Sequence, residues 1–339
     1  VRAIDIILNA MKVAKLAAPG KMEFFEEPLP ELRKKGEILI QPRFMGICGT
    51  DLHYFRHGGL GSHMQELPMS IGHEVSGTVS DSLSEDYEIG DKLAIEPGLH
   101  CGNCKYCESG MQNLCQSPRF IGSNVEGAFR EWMVVDEKQV LRIPKSMSLT
   151  DAVMIEPLSV AIHAVRRSRL QLGDSVAIYG VGPIGLLILQ VCKAMGCGAS
   201  YVYDKLDYRV SFAKRFGAEP ICKEEPPTVD IAFDAAGAQE TIDLCFKGTG
   251  KGGTVVLVGV PETDFVSYNP HISRIKELNV YNCRRANRAL SLALELFLSD
   301  KVSFEGMVTH TFSLENIQEA FETAADYRDQ VIKAVIQRG

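Results

Sequence analysis

The apolar positions of the chain change rhythm near residue 156. From 11 to about 155 they fall in short runs broken by Gly, Pro and Asp. Examples are Met11-Lys12-Val13-Ala14-Lys15-Leu16, Ile38-Leu39-Ile40-Gln41-Pro42, Glu74-Val75-Ser76-Gly77-Thr78-Val79 and Lys92-Leu93-Ala94-Ile95. Many short strands punctuated by turn residues predict a β-barrel-like unit. From about Glu156 apolar strands alternate with amphipathic helices, the pattern of an α/β parallel sheet.

In that second region the pattern predicts six strands: Ser175 to Tyr179, Ser200 to Asp204, Pro220 to Cys222, Val229 to Phe233, Thr254 to Val258 and Leu278 to Cys283. Helices are predicted over Ile184 to Met195, Tyr208 to Phe216 and Gln239 to Phe246. Six strands are what two mononucleotide-binding halves need. Between the third and fourth stand only Lys223-Glu224-Glu225-Pro226-Pro227-Thr228, where adjacent prolines exclude a helix. In the strand order 3-2-1-4-5-6 this segment crosses about 15 Å, and six or seven extended residues reach roughly 20 Å. An extended strap is therefore expected there. Beyond Arg288 the pattern gives a helix (Ala289 to Ser299), a strand near Met307 to His310, a helix (Leu314 to Tyr327) and a strand (Lys333 to Gln337).

Val176 to Cys192 is almost wholly apolar, yet Gly180, Gly182, Pro183 and Gly185 interrupt it. A buried strand, tight turn and buried helix explain it better than a membrane span. At 339 residues, 45% apolar and 23% charged, the composition suits two globular domains. A net charge of −7 speaks against a nucleic-acid or anionic-membrane partner. Val1 to Ala10 holds only a short apolar run broken by Asp5, so it reads as an N-terminal extension rather than a secretory signal. A cytoplasmic location follows as an expectation.

In that setting clustered thiols read as metal ligands. Cys101, Cys104, Cys107 and Cys115 form C-x2-C-x2-C-x7-C, four sulfurs that would close a tetrahedral, structural Zn²⁺ shell. A nucleic-acid-binding zinc knuckle is the competing reading, and the acidic chain opposes it. Cys48, in Gly46-Ile47-Cys48-Gly49-Thr50-Asp51, and His73-Glu74 offer one S, one N and one O, leaving a position open for water or substrate. A lone His in an apolar strand is more often a satisfied core residue. Thr50 and His53, within one helical turn of Cys48, argue for chemistry, because alcohol oxidation needs a proton path to solvent. Glu156, in Ile155-Glu156-Pro157-Leu158-Ser159, is a further acid that could reach the metal or its water. The other five cysteines (Cys192, Cys197, Cys222, Cys245, Cys283) are expected to be buried small apolar residues.

Tyr179-Gly180-Val181-Gly182-Pro183-Ile184-Gly185 follows an apolar strand and opens an apolar helix, the setting of a dinucleotide turn. Gly180 permits the turn, Gly182 lets backbone approach the pyrophosphate, and Gly185 permits close packing. Asp204, ending the second strand, would bind both ribose hydroxyls and repel a 2′-phosphate, favouring NAD over NADP. Lys205 and Arg209 nearby pull the other way.

From Met11 to Gln337 the chain resembles the zinc-dependent medium-chain dehydrogenase/reductase family. The resemblance rests on Gly72-His73-Glu74, the four-cysteine lobe, Gly180 to Gly185, and Val258-Gly259-Val260. Cys48-Gly49-Thr50-Asp51-Leu52-His53-Tyr54 and Glu156-Pro157-Leu158-Ser159-Val160-Ala161-Ile162-His163 resemble its sorbitol and xylitol dehydrogenase branch. The resemblance implies a GroES-like β-barrel catalytic domain over 11–156 with 287–339, and an inserted Rossmann domain over 157–286.

It further implies two Zn²⁺ per chain. Cys48, His73 and Glu74 would be catalytic ligands, with Glu156 binding the metal's water or entering the shell transiently. Tyr54 and Arg285 would face the substrate. Pro183, Ile184, Asp204 and Arg209 would contact the dinucleotide, and Val258 and Val260 the nicotinamide amide. The expected reaction is hydride transfer from a secondary hydroxyl of a polyol or sugar-like alcohol to NAD⁺, giving a ketone, in a homodimer or homotetramer. Ala286 stands where the polyol branch has an aromatic, preceded by Arg284-Arg285, and the stretch 119–132 looks more like sugar-acid members. Threonine, sugar-acid and aldose dehydrogenases are therefore the alternatives, with a non-catalytic zinc and nucleotide sensor as the reading from another class.

Overall fold

The computed structural model describes residues 10–339, so the extension expected over 1–10 lies outside the described residues except for Ala10. The chain forms two compact units. The first holds described residues 10–59, Met64–Glu156 and Val308–Gly339, and the second holds Leu60–His63 and Pro157–Met307.

The first unit is built on a seven-stranded sheet. Its neighbours run Val140–Arg142, Lys92–Ile95, Glu74–Ser82, Glu37–Gly46, Lys333–Gln337, Val308–Ser313, with Met133–Asp136 also pairing Glu37–Gly46. All these pairs are antiparallel except Val308–Ser313 with Lys333–Gln337. Strand Glu37–Gly46 changes partner along one edge, from Met133–Asp136 to Lys333–Gln337, while Glu74–Ser82 runs along the other. Its ladder with Glu74–Ser82 is irregular between Pro42 and Phe44, where proline has no N–H to give and a bulge can turn the strand. Val13, Leu16, Ile38, Ile40, Met45, Ile71, Leu93, Ile95 and Phe129 fill the interior at 0% exposure. The register sets Gly46 opposite Glu74 on one side and Val335 on the other. That register places the chain leading to Cys48 beside the end of the strand that begins with Glu74.

The second unit carries a parallel six-stranded sheet ordered Glu219–Pro220, Ser200–Tyr203, Val176–Tyr179, Val229–Asp234, Thr249–Leu257, Asn279–Asn282, the order 3-2-1-4-5-6 of a dinucleotide fold. Residues 221–228 contain no helix, as the two prolines require. Helices Ile155–Ser168 and Pro270–Lys276 add to those read from periodicity. The apolar run at 176–192 resolves into strand Val176–Tyr179 and helix Pro183–Ala194. Among the described residues no helix is long and apolar enough to cross a membrane.

Two expectations differ from the fold. Residues 287–307, expected with the first unit, lie with the second, where the Gln190 side chain donates to Ser303 O at 3.1 Å and accepts from Ser303 N at 2.8 Å. Of the five scattered cysteines only Cys192 and Cys245 are buried, and Cys222 is exposed because it begins the strap outside the sheet.

Candidate metal and dinucleotide sites

Helix Gly49–His57 begins directly after Cys48, its N-cap residue. The third helical residue, Asp51, folds back so that Oδ2 accepts the Cys48 N–H at 2.9 Å, closing a capping box. Its other oxygen, Oδ1, accepts the Gly72 N–H at 3.1 Å and lies 3.6 Å from His73 Nδ1. Asp51 is wholly buried, so these donors take the place of water around its charge. Gly72 has φ +92°, and a Cβ there would stand 2.6 Å from the Phe129 ring. Only glycine delivers His73 at that angle.

The outcome is that one ligand atom from each of Cys48, His73 and Glu74 lies within 4.8 Å of the others. His73 and Glu74 are buried and Cys48 is half-buried. Burial pulls the His73 pKa down, but Asp51 and Cys48 reverse this and hold it well above the ordinary value. Glu156, also buried, is pushed up to about 8: burial raises it, His73 opposes, and the carboxylates Glu74 and Glu96 raise it further while Lys333 opposes. A donor set of S, N and O suits zinc.

In the lobe, Sγ–Sγ separations are 3.6 Å (Cys104–Cys107), 3.9 Å (Cys101–Cys107) and 3.5 Å (Cys101–Cys115). Four sulfurs about 2.3 Å from one zinc would stand about 3.8 Å apart in a tetrahedron, so the lobe fits the ion. Backbone N–H groups of Gln116 and Cys107 lower the Cys104 pKa to about 6, whereas burial pushes Cys107 up to about 12. The ladder Gly98–Leu99 with Arg119–Phe120 closes the base of the lobe.

In the second unit, Gly180 has φ +93° and packs against Ala236, and a Cβ on Gly185 would lie 1.9 Å from Gly180 O. Gly182 caps helix Pro183–Ala194, leaving its first N–H groups for phosphate. Asp204 is held by N–H donors from Val181 (2.8 Å) and Leu206 (3.0 Å), with Arg209 Nη1 3.9 Å from Oδ2. The fit to a dinucleotide lies in these close backbone approaches, which side chains would fill.

The sequence-derived residues thus separate into two groups. Cys48, Thr50, His53, Tyr54, His73, Glu74 and Glu156 belong to the first unit, and Gly180 to Gly185, Asp204, Arg209, Val258, Val260 and Arg285 to the second. Tyr54, expected to face substrate, is only 2% exposed. Arg285 is half-buried with φ +56°. Three residues escaped the sequence reading. Asp51 was visible inside the Cys48 motif. Asp234, buried where strand Val229–Asp234 ends, accepts from Thr241 Oγ1 at 2.7 Å, while its carbonyl accepts the Val258 N–H at 2.8 Å. Lys333 is 2% exposed and pairs with Glu74. Nothing local marked the last two.

Residues 34–145 match the alcohol dehydrogenase GroES-like domain, and residues 183–299 match the zinc-binding dehydrogenase domain. Sorbitol dehydrogenase of Bacillus subtilis is 32% identical over 342 residues, covering 96% of this chain and 97% of that protein. D-xylulose reductase A of Aspergillus oryzae is 33% identical over 324 residues, covering 89% and 90%. The crystal structure of L-idonate 5-dehydrogenase from Escherichia coli is similar with a TM-score of 0.90 at 27% identity, covering 97% of this chain and 98% of that one.

Proposed function

The chain belongs to the zinc-dependent medium-chain alcohol dehydrogenase family, and we propose that it oxidises a secondary hydroxyl of a polyol to a ketone with NAD⁺. The observation carrying this reading is the convergence of Cys48, His73 and Glu74 within 4.8 Å beside the helix that bears Thr50 and His53. In this reading those three residues hold the catalytic zinc, Glu156 lies close enough to feel their charge, and the four cysteines hold a second zinc that only supports the fold. When bound, zinc would supply electrostatic stabilisation of a developing alkoxide, and the dinucleotide would supply the hydride acceptor. Thr50 accepts the hydroxyl proton and passes it to His53, its neighbour one turn on along the helix. Asp204 takes the ribose hydroxyls and favours NAD over NADP. Val258 and Val260 would meet the nicotinamide amide.

A polyol is supported by the sorbitol dehydrogenase and xylulose reductase likeness. A sugar acid is the second reading, favoured by the pair Arg284-Arg285 before Ala286 and by the idonate dehydrogenase likeness. NAD⁺ reduction measured across sorbitol, xylitol, inositols, L-idonate, glucose and threonine separates them. Turnover of xylitol or sorbitol above the acids supports the first, and no turnover of any alcohol would sink the enzyme reading. A cytoplasmic homodimer or homotetramer is part of the same proposal and is checked by light scattering and fractionation.

A further inference from the structure

Lys333 and Glu74 come from the two strands that flank Glu37–Gly46, and they meet over Gly46. Both side chains are 2% exposed. The lysine ammonium donates to Ile47 O at 3.0 Å and pairs with Glu74 Oε2. A Cβ on residue 46 would stand 2.0 Å from Glu74 Oε2 and 3.0 Å from Lys333 Cε, so the ion pair occupies the space any side chain there would take. Residue 46 is thus glycine for the sake of a contact between residues 74 and 333.

A carboxylate can offer a cation one oxygen or two, and its full charge lowers the cation's power to polarise anything else bound to it. Lys333 engages one oxygen and supplies the opposite charge. We propose that Lys333 is a positioning residue that restricts Glu74 to a single oxygen toward the metal and offsets that carboxylate's charge. The proposal rests on the reading of Cys48, His73 and Glu74 as a metal site. Its sign is distinctive. Without Lys333, Glu74 can turn both oxygens and its whole charge to the cation, so the cation is held more tightly. Damage to the fold would loosen it.

The test uses the full chain with zinc kept in the four-cysteine lobe and Co²⁺ exchanged into the other site. For Lys333→Met, chelator competition is expected to give Co²⁺ binding about ten-fold tighter, and the visible Co²⁺ absorption is expected to weaken as the coordination number rises. In a Glu74→Gln background the same substitution is expected to change affinity by less than about two-fold. Weaker or unchanged Co²⁺ affinity, or the same change with and without Glu74, overturns the proposal. If Lys333→Met does not fold, Lys333→Gln keeps an N–H for Ile47 O while removing the charge, and carries the same expectation. Cys48→Ser in the same assay tests the underlying reading separately, since it must abolish the thiolate–cobalt band whatever Lys333 does.

Discussion

Asp51 Oδ1 stands 3.6 Å from His73 Nδ1, and through Oδ2 the same carboxylate takes the Cys48 N–H at 2.9 Å. One buried acid therefore holds both segments of the proposed metal site and turns Nδ1 of His73 inward, leaving Nε2 for a metal. Asp51→Asn is expected to weaken metal retention at this site by about 10- to 100-fold while the lobe keeps its zinc. Metal analysis after dialysis against a chelator should then fall from about two zinc per chain to about one.

The two metal sites should fail in different ways. Cys48→Ser is expected to lower kcat/KM at least about a thousand-fold with little change in Tm. Cys104→Ser opens a closed shell whose binding energy is folding energy, so Tm is expected to drop by at least about 5 °C. Calorimetry and kinetics on both variants check this, and parallel losses in the two would contradict the division of roles.

Cofactor choice should follow Asp204. Its carboxylate accepts the N–H groups of Val181 and Leu206, so removing it takes two bonds from the turn as well as those it would offer the ribose. Asp204→Ala is expected to raise KM for NAD⁺ by about ten-fold or more and to improve the use of NADP⁺, because Arg209 loses its carboxylate partner. Steady-state kinetics with both dinucleotides decides it.

His163 should make stability sensitive to mild acid. Burial, then Arg167 and Arg166, push its pKa down to about 4. The folded chain therefore keeps it neutral through a range where the unfolded chain, near 6.5, takes up a proton. Between about pH 6.5 and 4 the unfolded state binds more protons, so this contribution to stability is present above that window and is lost as pH falls through it. His163→Gln is expected to flatten the acid side of the stability profile relative to the parent chain. Urea unfolding from pH 7 to 5 measures the difference, and identical slopes would count against it.

How much of this was legible depends on how far apart the cooperating residues lie. The four-cysteine lobe spans residues 101–115, and the glycine turn 180–185, so spacing alone announced both. The strap at 223–228 was legible for the same reason, since two adjacent prolines decide the backbone where they stand. The Cys48 helix carried its own acid at position 51, three residues away, although only the contact to His73 gives that acid its meaning. By contrast, Lys333 reaches Ile47 across 286 positions of sequence, and no local pattern marks a lysine in an apolar strand as the partner of a distant glutamate. Nor could periodicity place residues 287–307, which lie with the second unit through distant contacts such as that of Gln190 with Ser303. The sequence by itself determined which donors exist and which backbone turns are possible, because spacing and residue type act over a few positions. The tertiary structure alone decided which donors face one another, because that depends on strand register and on whether a buried charge finds its counter-charge.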